Sequence, residues 1–200
     1  MAATLAQLRK ECMEFFRQIY VGEDRVLVFG EGARDASWML VGEAPGEKEA
    51  LAGRPFVGKA GAELDSFLTA LRLDRSTLYI TNAVKFRPTR ISAAGRTVNR
   101  APTQEEIGLW QPWLRREAEL VKPRLIVTLG NTALRAVTGE ALSIGDVHGR
   151  LLEGNQPLVF ALYHPASVIY RRALRETYNE DLRQLRAAMD ALGVAQHGED

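Results

Sequence analysis

Four short segments of the chain carry side chains whose types and spacing suit chemistry. The first is Val41-Gly42-Glu43-Ala44-Pro45-Gly46-Glu47-Lys48-Glu49. Its two glycines permit positive φ or close backbone approach, and Pro45 stiffens the loop. The loop N–H groups can hold a ligand, or the segment can be a plain strand-to-helix turn. It has neither the Gly-Lys-Ser/Thr of a P-loop nor the spacing of a dinucleotide fingerprint. The second segment, Leu51 to Leu64, places Phe56 among glycines and a proline rather than at a helical core spacing. An aromatic there suits stacking on a planar ring or anchoring a loop. The third holds Asn82, whose amide offers a donor and an acceptor side by side, matched to a nucleobase edge or to a turn. The fourth is Tyr163-His164-Pro165-Ala166-Ser167. A neutral imidazole donor there can stabilise developing negative charge, or the histidine can be structural. Between them runs Lys85–Arg100, with Lys85, Arg87, Arg90, Arg96 and Arg100 and no acid. With Arg171, Arg172 and Arg175 it suits phosphate contacts, and equally a solvated surface.

The elements that must position these residues are legible as an alternation. Four β-rich runs, Trp38–Val41, Leu78–Val84, Leu125–Leu129 and Leu158–Tyr163, are separated by helical patterns. Leu64, Leu68 and Leu71 form one stripe within 60–73. Thr103-Gln104-Glu105-Glu106 reads as a capping box that opens a helix to about Leu120. Asn131 or Thr132 starts another that ends near Val137, ahead of Gly139. Leu182, Leu185, Met189 and Leu192 share one face of a helix over 178–192. This order predicts a three-layer α/β/α sandwich around a central, largely parallel four-stranded sheet. Ligands of such sheets bind beyond the carboxyl ends of the strands, which is where the four segments fall. Residues 87–101 are expected to be a loose loop, 1–192 a single domain and 193–200 a frayed tail.

Composition narrows the function classes. The 200 residues carry 26 Lys and Arg against 25 Asp and Glu, a net charge of +1. That excludes a globally basic nucleic-acid binder but leaves room for a local basic face. One cysteine, Cys12, excludes an internal disulfide and any site built from several cysteines of this chain. No apolar stretch reaches the 18 or so residues of a membrane span. Residues 1–10 lack a signal-peptide pattern, so a cytoplasmic location is expected.

In order and placement, the quoted segments resemble the uracil-DNA glycosylase superfamily, most closely its family 4 branch. The matching pieces are Val41–Glu49, Gly53-Arg54-Pro55-Phe56-Val57-Gly58-Lys59-Ala60-Gly61, Ile80-Thr81-Asn82-Ala83-Val84-Lys85, Asn99-Arg100-Ala101-Pro102-Thr103 and Tyr163-His164-Pro165-Ala166. The resemblance covers roughly residues 8–192 and implies an enzyme that removes uracil from DNA and leaves an abasic site. It implies that Phe56 stacks on the flipped uracil, Asn82 reads its edge and His164 hydrogen-bonds its oxygen. Gly42, Glu43 and Ala44 would border the deoxyribose and the attacking water. The expected partner is single- or double-stranded uracil-containing DNA, contacted through Lys85, Arg87, Arg96, Arg100 and Arg171, by a monomer.

Three departures from the family pattern matter. Ala44 stands where the best-known members carry an aspartate, which leaves Glu43 or Glu49 to handle the water. Family 4 typically holds a four-cysteine iron–sulfur cluster, yet only Cys12 is present. By motif position Phe15, Phe86 and Trp110 replace the other thiolates, so no cofactor and no metal are expected. The loop Pro88–Val98 looks longer than in family 4. A related branch carries a covalently reacting histidine there, where this chain has Asn99. The alternative on the same scaffold is a non-catalytic or covalent binder of uracil-DNA. A further rival is a small nucleotide-binding or hydrolase protein with no DNA partner. The wedge that would replace the everted base falls among Val168, Ile169, Tyr170 and Arg171.

Overall fold

The computed structural model describes residues 3–194, with the side chains of Tyr170 and Arg172 outside that description. Its architecture follows from strands that are apolar on both faces. In β2 (Trp38–Gly42), Trp38 and Leu40 face one core, and Met39 and Val41 face a second. In β6 (Leu125–Leu129), Leu125, Val127 and Leu129 join the first and Ile126 the second. A strand buried on both sides needs cover on both sides, so helices flank the sheet.

In chain order the elements are α1 (Leu5–Ile19), β1 (Glu31–Gly32), β2, α2 (Glu47–Ala52), α3 (Lys59–Ala70), β3 (Tyr79–Asn82), β4 (Thr89–Ile91) and β5 (Thr97–Asn99). There follow α4 (Gln104–Val121), β6, α5 (Gly130–Thr138), α6 (Ile144–Val147), β7 (Arg150–Leu152), β8 (Leu158–Leu162), α7 (Pro165–Tyr170) and α8 (Arg175–Leu192). Leu64, Phe67 and Leu68 of α3 and Leu182, Leu185 and Met189 of α8 fill the first core. Leu8, Cys12 and Phe16 of α1 and Trp110 and Leu114 of α4 fill the second. The predicted capping box at Thr103 and Glu106 is present and starts α4.

The sheet has six strands in the order β1-β3-β2-β6-β8-β7, rather than four. The four central strands run parallel, and the short edge strands β1 and β7 pair antiparallel. Neither edge strand has a hydrophobic run to betray it: β1 is Glu31-Gly32 and β7 is Arg-Leu-Leu.

The stretch expected to be loose is an ordered hairpin. β4 and β5 pair Thr89 with Asn99 and Ile91 with Thr97. The turn closes through Gly95 at φ +71° and a bond from Gly95 N–H to the Ser92 carbonyl. The hairpin is solvated on nearly all sides, so it has no apolar alternation from which a strand could be read. At the other end of the chain Gly193 caps α8 and Val194 is buried. The remainder of the expected tail, 195–200, lies outside the described residues.

A candidate base-binding pocket at the strand ends

Gly42 ends β2 directly opposite Asn82 at the end of β3. A Cβ on Gly42 would lie 2.5 Å from Asn82 Oδ1 and 2.5 Å from Phe56 Cζ. Only glycine therefore lets the amide and the aromatic ring meet over the strand end. Beyond it the backbone is tied across the parallel pair: Ala83 and Val84 donate to the carbonyls of Gly42 and Glu43 at 2.8 and 3.1 Å. Asn82 is 3% exposed. Among the described residues its side-chain amide makes no hydrogen bond, while its own carbonyl accepts from Lys85 Nζ at 2.8 Å. A buried amide without a protein partner is poised for a ligand.

Glu49, the alternative to Glu43 for handling the water, is engaged by three backbone N–H groups. One carboxylate oxygen accepts from Val57 N–H at 3.0 Å and Gly58 N–H at 2.6 Å, the other from Gly46 N–H at 3.1 Å. It staples the Glu43–Gly46 loop to the Phe56 loop. A Cβ on Gly58 would meet it at 2.9 Å and one on Gly46 at 2.7 Å, so both glycines are needed for the staple to close.

His164 closes the pocket from β8. It is the N-cap of α7, and its Nδ1 accepts from Ala166 N–H at 3.2 Å. An acceptor at Nδ1 places the ring proton on Nε2. Burial holds its pKa down at about 4, against a small upward pull from the Glu49 carboxylate. The ring is thus a neutral Nε2–H donor across the physiological range. It lies 6.2 Å from the Phe56 ring, with 27° between the planes. Gly130 at φ +84° packs behind it: a Cβ there would lie 3.3 Å from His164 Cβ.

Glu43 is held by a residue that the sequence offered only as a helix start. Thr132 in the first turn of α5 donates to a Glu43 carboxylate oxygen at 2.6 Å. Its signal was its place, three residues after the end of β6 on the rim where the other candidates sit. Glu43, Ala44, Gly46, Glu49, Phe56, Asn82 and His164 line one cleft of about 420 Å3, with Asn99 and Ile169 on its border. That volume falls within the roughly 300–1,000 Å3 of ligand sites. Asn99 Oδ1 accepts from Arg87 Nε at 2.7 Å, which leaves its NH2 for other partners.

The basic residues divide. Lys85 cannot reach a nucleic acid: it is fully buried and paired with Glu117. Its Nζ also donates to Thr81 Oγ1 at 2.7 Å. Glu117 accepts in addition from Tyr79 OH, Thr81 Oγ1 and Gly30 N–H. A buried charge needs such full pairing, and the sequence spacing alone could not show that Lys85 points inward. Arg100 is bound at two points to Glu106, both 2.6 Å, and Arg87 reaches Glu47 at 3.4 Å as well as Asn99. Arg90, Arg96 and Arg171 are exposed. Of the wedge residues, Val168 is buried, Ile169 lines the cleft and the Tyr170 side chain lies outside the described residues.

The positions that the resemblance assigns to an iron–sulfur cluster do not fit one. Trp110 packs against Phe15 edge-on at 5.8 Å and against Phe86 at 6.4 Å. Phe16 adds a contact at 6.1 Å, and Arg25 covers Phe86 at 4.5 Å. Cys12 alone is a thiol, and burial pushes its pKa up to about 12, far from a thiolate ligand.

Residues 29–185 match the profile of the Uracil DNA glycosylase superfamily. The chain is 39% identical over 164 residues to the type-4 uracil-DNA glycosylase of Archaeoglobus fulgidus, covering 78% of each chain. It is 36% identical over 166 residues to that of Thermotoga maritima, covering 80% of this chain and 82% of the relative. The crystal structure of Pedobacter heparinus SMUG2 superposes with a TM-score of 0.53 at 14% identity over 92% of this chain and 82% of that one, a likeness of fold. With more than half of its length matched by the family profile and relatives at 36–39% identity over about four-fifths of the chain, this chain belongs to the uracil-DNA glycosylase superfamily.

Proposed function

We propose that the protein hydrolyses the N-glycosidic bond of uracil in single- or double-stranded DNA and leaves an abasic site, as the opening step of base-excision repair. The observation that carries this reading is the His164 tautomer. Nδ1 is taken by the Ala166 N–H and the ring is desolvated, so a neutral Nε2–H is offered to the cleft.

The glycosidic bond of a stacked nucleotide is inaccessible, so the base must be everted. In the cleft its ring lies on Phe56 and its amide edge meets Asn82. Bond cleavage leaves an oxocarbenium-like sugar and a uracil anion. The His164 Nε2–H bonds the oxygen on which that charge grows. A preorganised donor of this kind contributes about 3–4 kcal/mol. A neutral imidazole keeps its proton during the step, a pattern used where charge must be stabilised without transfer. Glu43, with one oxygen held by Thr132 and the other unbonded among the described residues, orients the water and faces the developing cation. The Asn99 carboxamide on the same border is a poor nucleophile, which favours turnover over a covalent trap. Arg90, Arg96 and Arg171 take backbone phosphates, and the chemistry runs without a metal or cluster.

The test is an oligonucleotide with a single uracil. Alkali-labile breakage at that position, with free uracil released over many cycles, is expected. A denaturant-stable protein–DNA adduct would replace this reading with the covalent binder, and binding without release with the non-catalytic one.

A further inference from the structure

Phe56 holds φ at +53°, a left-handed backbone that an aromatic residue rarely adopts. Such a conformation persists only where neighbours over-determine it. Two glycines make room for it: a Cβ on Gly61 would lie 2.1 Å from the Phe56 carbonyl oxygen, and one on Gly42 2.5 Å from the ring. Room alone does not hold a strained turn. Glu49 holds the N–H groups of Val57 and Gly58 just beyond the turn, and the carbonyl side is gripped by Arg75, which sits in a single 3-10 turn between α3 and β3. Its Nη2 donates to the carbonyls of Pro55 at 3.0 Å and of Phe56 at 3.1 Å. Its Nη1 bonds Asp65 Oδ1 on α3 at 2.8 Å, which fixes the plane of the guanidinium. Arg75 does not line the cleft.

We infer that Arg75 is the positioning residue of the stacking platform: it sets the height and tilt of the Phe56 ring, and so the affinity for the everted base, without touching the base. The inference rests on the proposed reading of Phe56 as that platform. The planar fork suits the task because one nitrogen serves two carbonyls while the other is anchored. A lysine ammonium, a point charge on a flexible stem, can replace only part of this.

The experiment measures KM and kcat on the single-uracil oligonucleotide for the wild type, Arg75→Met, Arg75→Lys, Phe56→Ala and the Phe56→Ala/Arg75→Met double variant, with thermal unfolding of each. Arg75→Met is expected to raise KM about tenfold, the scale of one base–aromatic stack. Its kcat changes by less than about threefold. Arg75→Lys falls between it and the wild type. The double variant is no worse than Phe56→Ala, because the two losses share one cause. An Arg75→Met variant with unchanged KM, or losses that multiply in the double variant, would overturn the assignment. So would a loss that only tracks the unfolded fraction. Wild-type KM in Phe56→Ala overturns the platform reading itself and the role of Arg75 with it. Should Arg75→Met fail to fold, Arg75→Lys is compared in the same way, and a wild-type KM there sinks the inference.

Discussion

Two regions beside β3, the aromatic core under α1 and α4 and the rim at Asn82, are built on opposite terms. On the α1–α4 side, Phe15, Phe16, Phe86 and Trp110 pack with Cys12 in one core, and the buried charges nearby, Lys85 and Glu117, pair with each other and with Thr81, Tyr79 and the Gly30 N–H. At the rim, Asn82 is buried without a partner for its amide, Phe56 is held in a left-handed turn and His164 is desolvated with one nitrogen left to offer. A core lowers free energy by burying apolar surface and pairing the charges it encloses, even where, as at the Trp110 indole N–H, one polar atom goes without a partner. A binding site keeps groups unmet so that the ligand meets them, and the packed region carries the stability that this costs.

Substitutions in the two regions should therefore move different observables. The largest effect belongs to Trp110→Ala. Truncating a buried aromatic of that size costs about 3–5 kcal/mol of stability, read as a shift of the denaturant midpoint. The cleavage rate per folded molecule stays near the wild-type value. A variant that unfolds normally but loses activity would break the contrast. Of similar size but opposite kind is His164→Ala, expected to lower kcat by about 100- to 1,000-fold with the unfolding midpoint and DNA affinity little changed. Retention of more than a tenth of the wild-type rate would remove His164 from its role. Thr132→Val deletes the bond that orients Glu43 and should lower kcat about tenfold, since a hydrogen bond to a charged group contributes roughly 1.5–3 kcal/mol. Equal loss in Thr132→Val and Thr132→Ser would show that the hydroxyl is not what matters.

A pH response also tells the two regions apart. The pKa of His164 is lowered by burial from its ordinary 6.5 to about 4. The folded protein therefore binds this proton only below about pH 4, whereas the unfolded chain binds it below about 6.5. The contribution to stability is present above pH 6.5 and is lost as pH falls towards 4. The single-turnover rate should be flat in this group from neutral pH down to about 5 and fall as pH passes below about 4. A rate that already halves between pH 7 and 6 would mean an imidazole that titrates normally, and a cleft wetter than its packing implies.

Much of this was legible in the chain. The four parallel strands, the capping box at Thr103 and the placement of Glu43, Phe56, Asn82 and His164 beyond strand ends follow from local pattern. An apolar run specifies a buried strand, and a parallel sheet puts its loops on one rim. What escaped was the work of long-range partners. The hairpin β4–β5 is solvated on nearly all sides and carries no alternation. The edge strands are too short to print a pattern. Lys85 and Glu49 look like surface or catalytic charges until the fold supplies their partners.

Residue types and their order along the chain placed Glu43, Phe56, Asn82 and His164 at one rim, because hydrophobic periodicity and turn residues act over a few neighbours. Only the packed tertiary structure decided what each polar group is free to do. That freedom depends on whether a distant atom (Glu117 for Lys85, the Ala166 amide for His164, Thr132 for Glu43) has already taken its hydrogen bond.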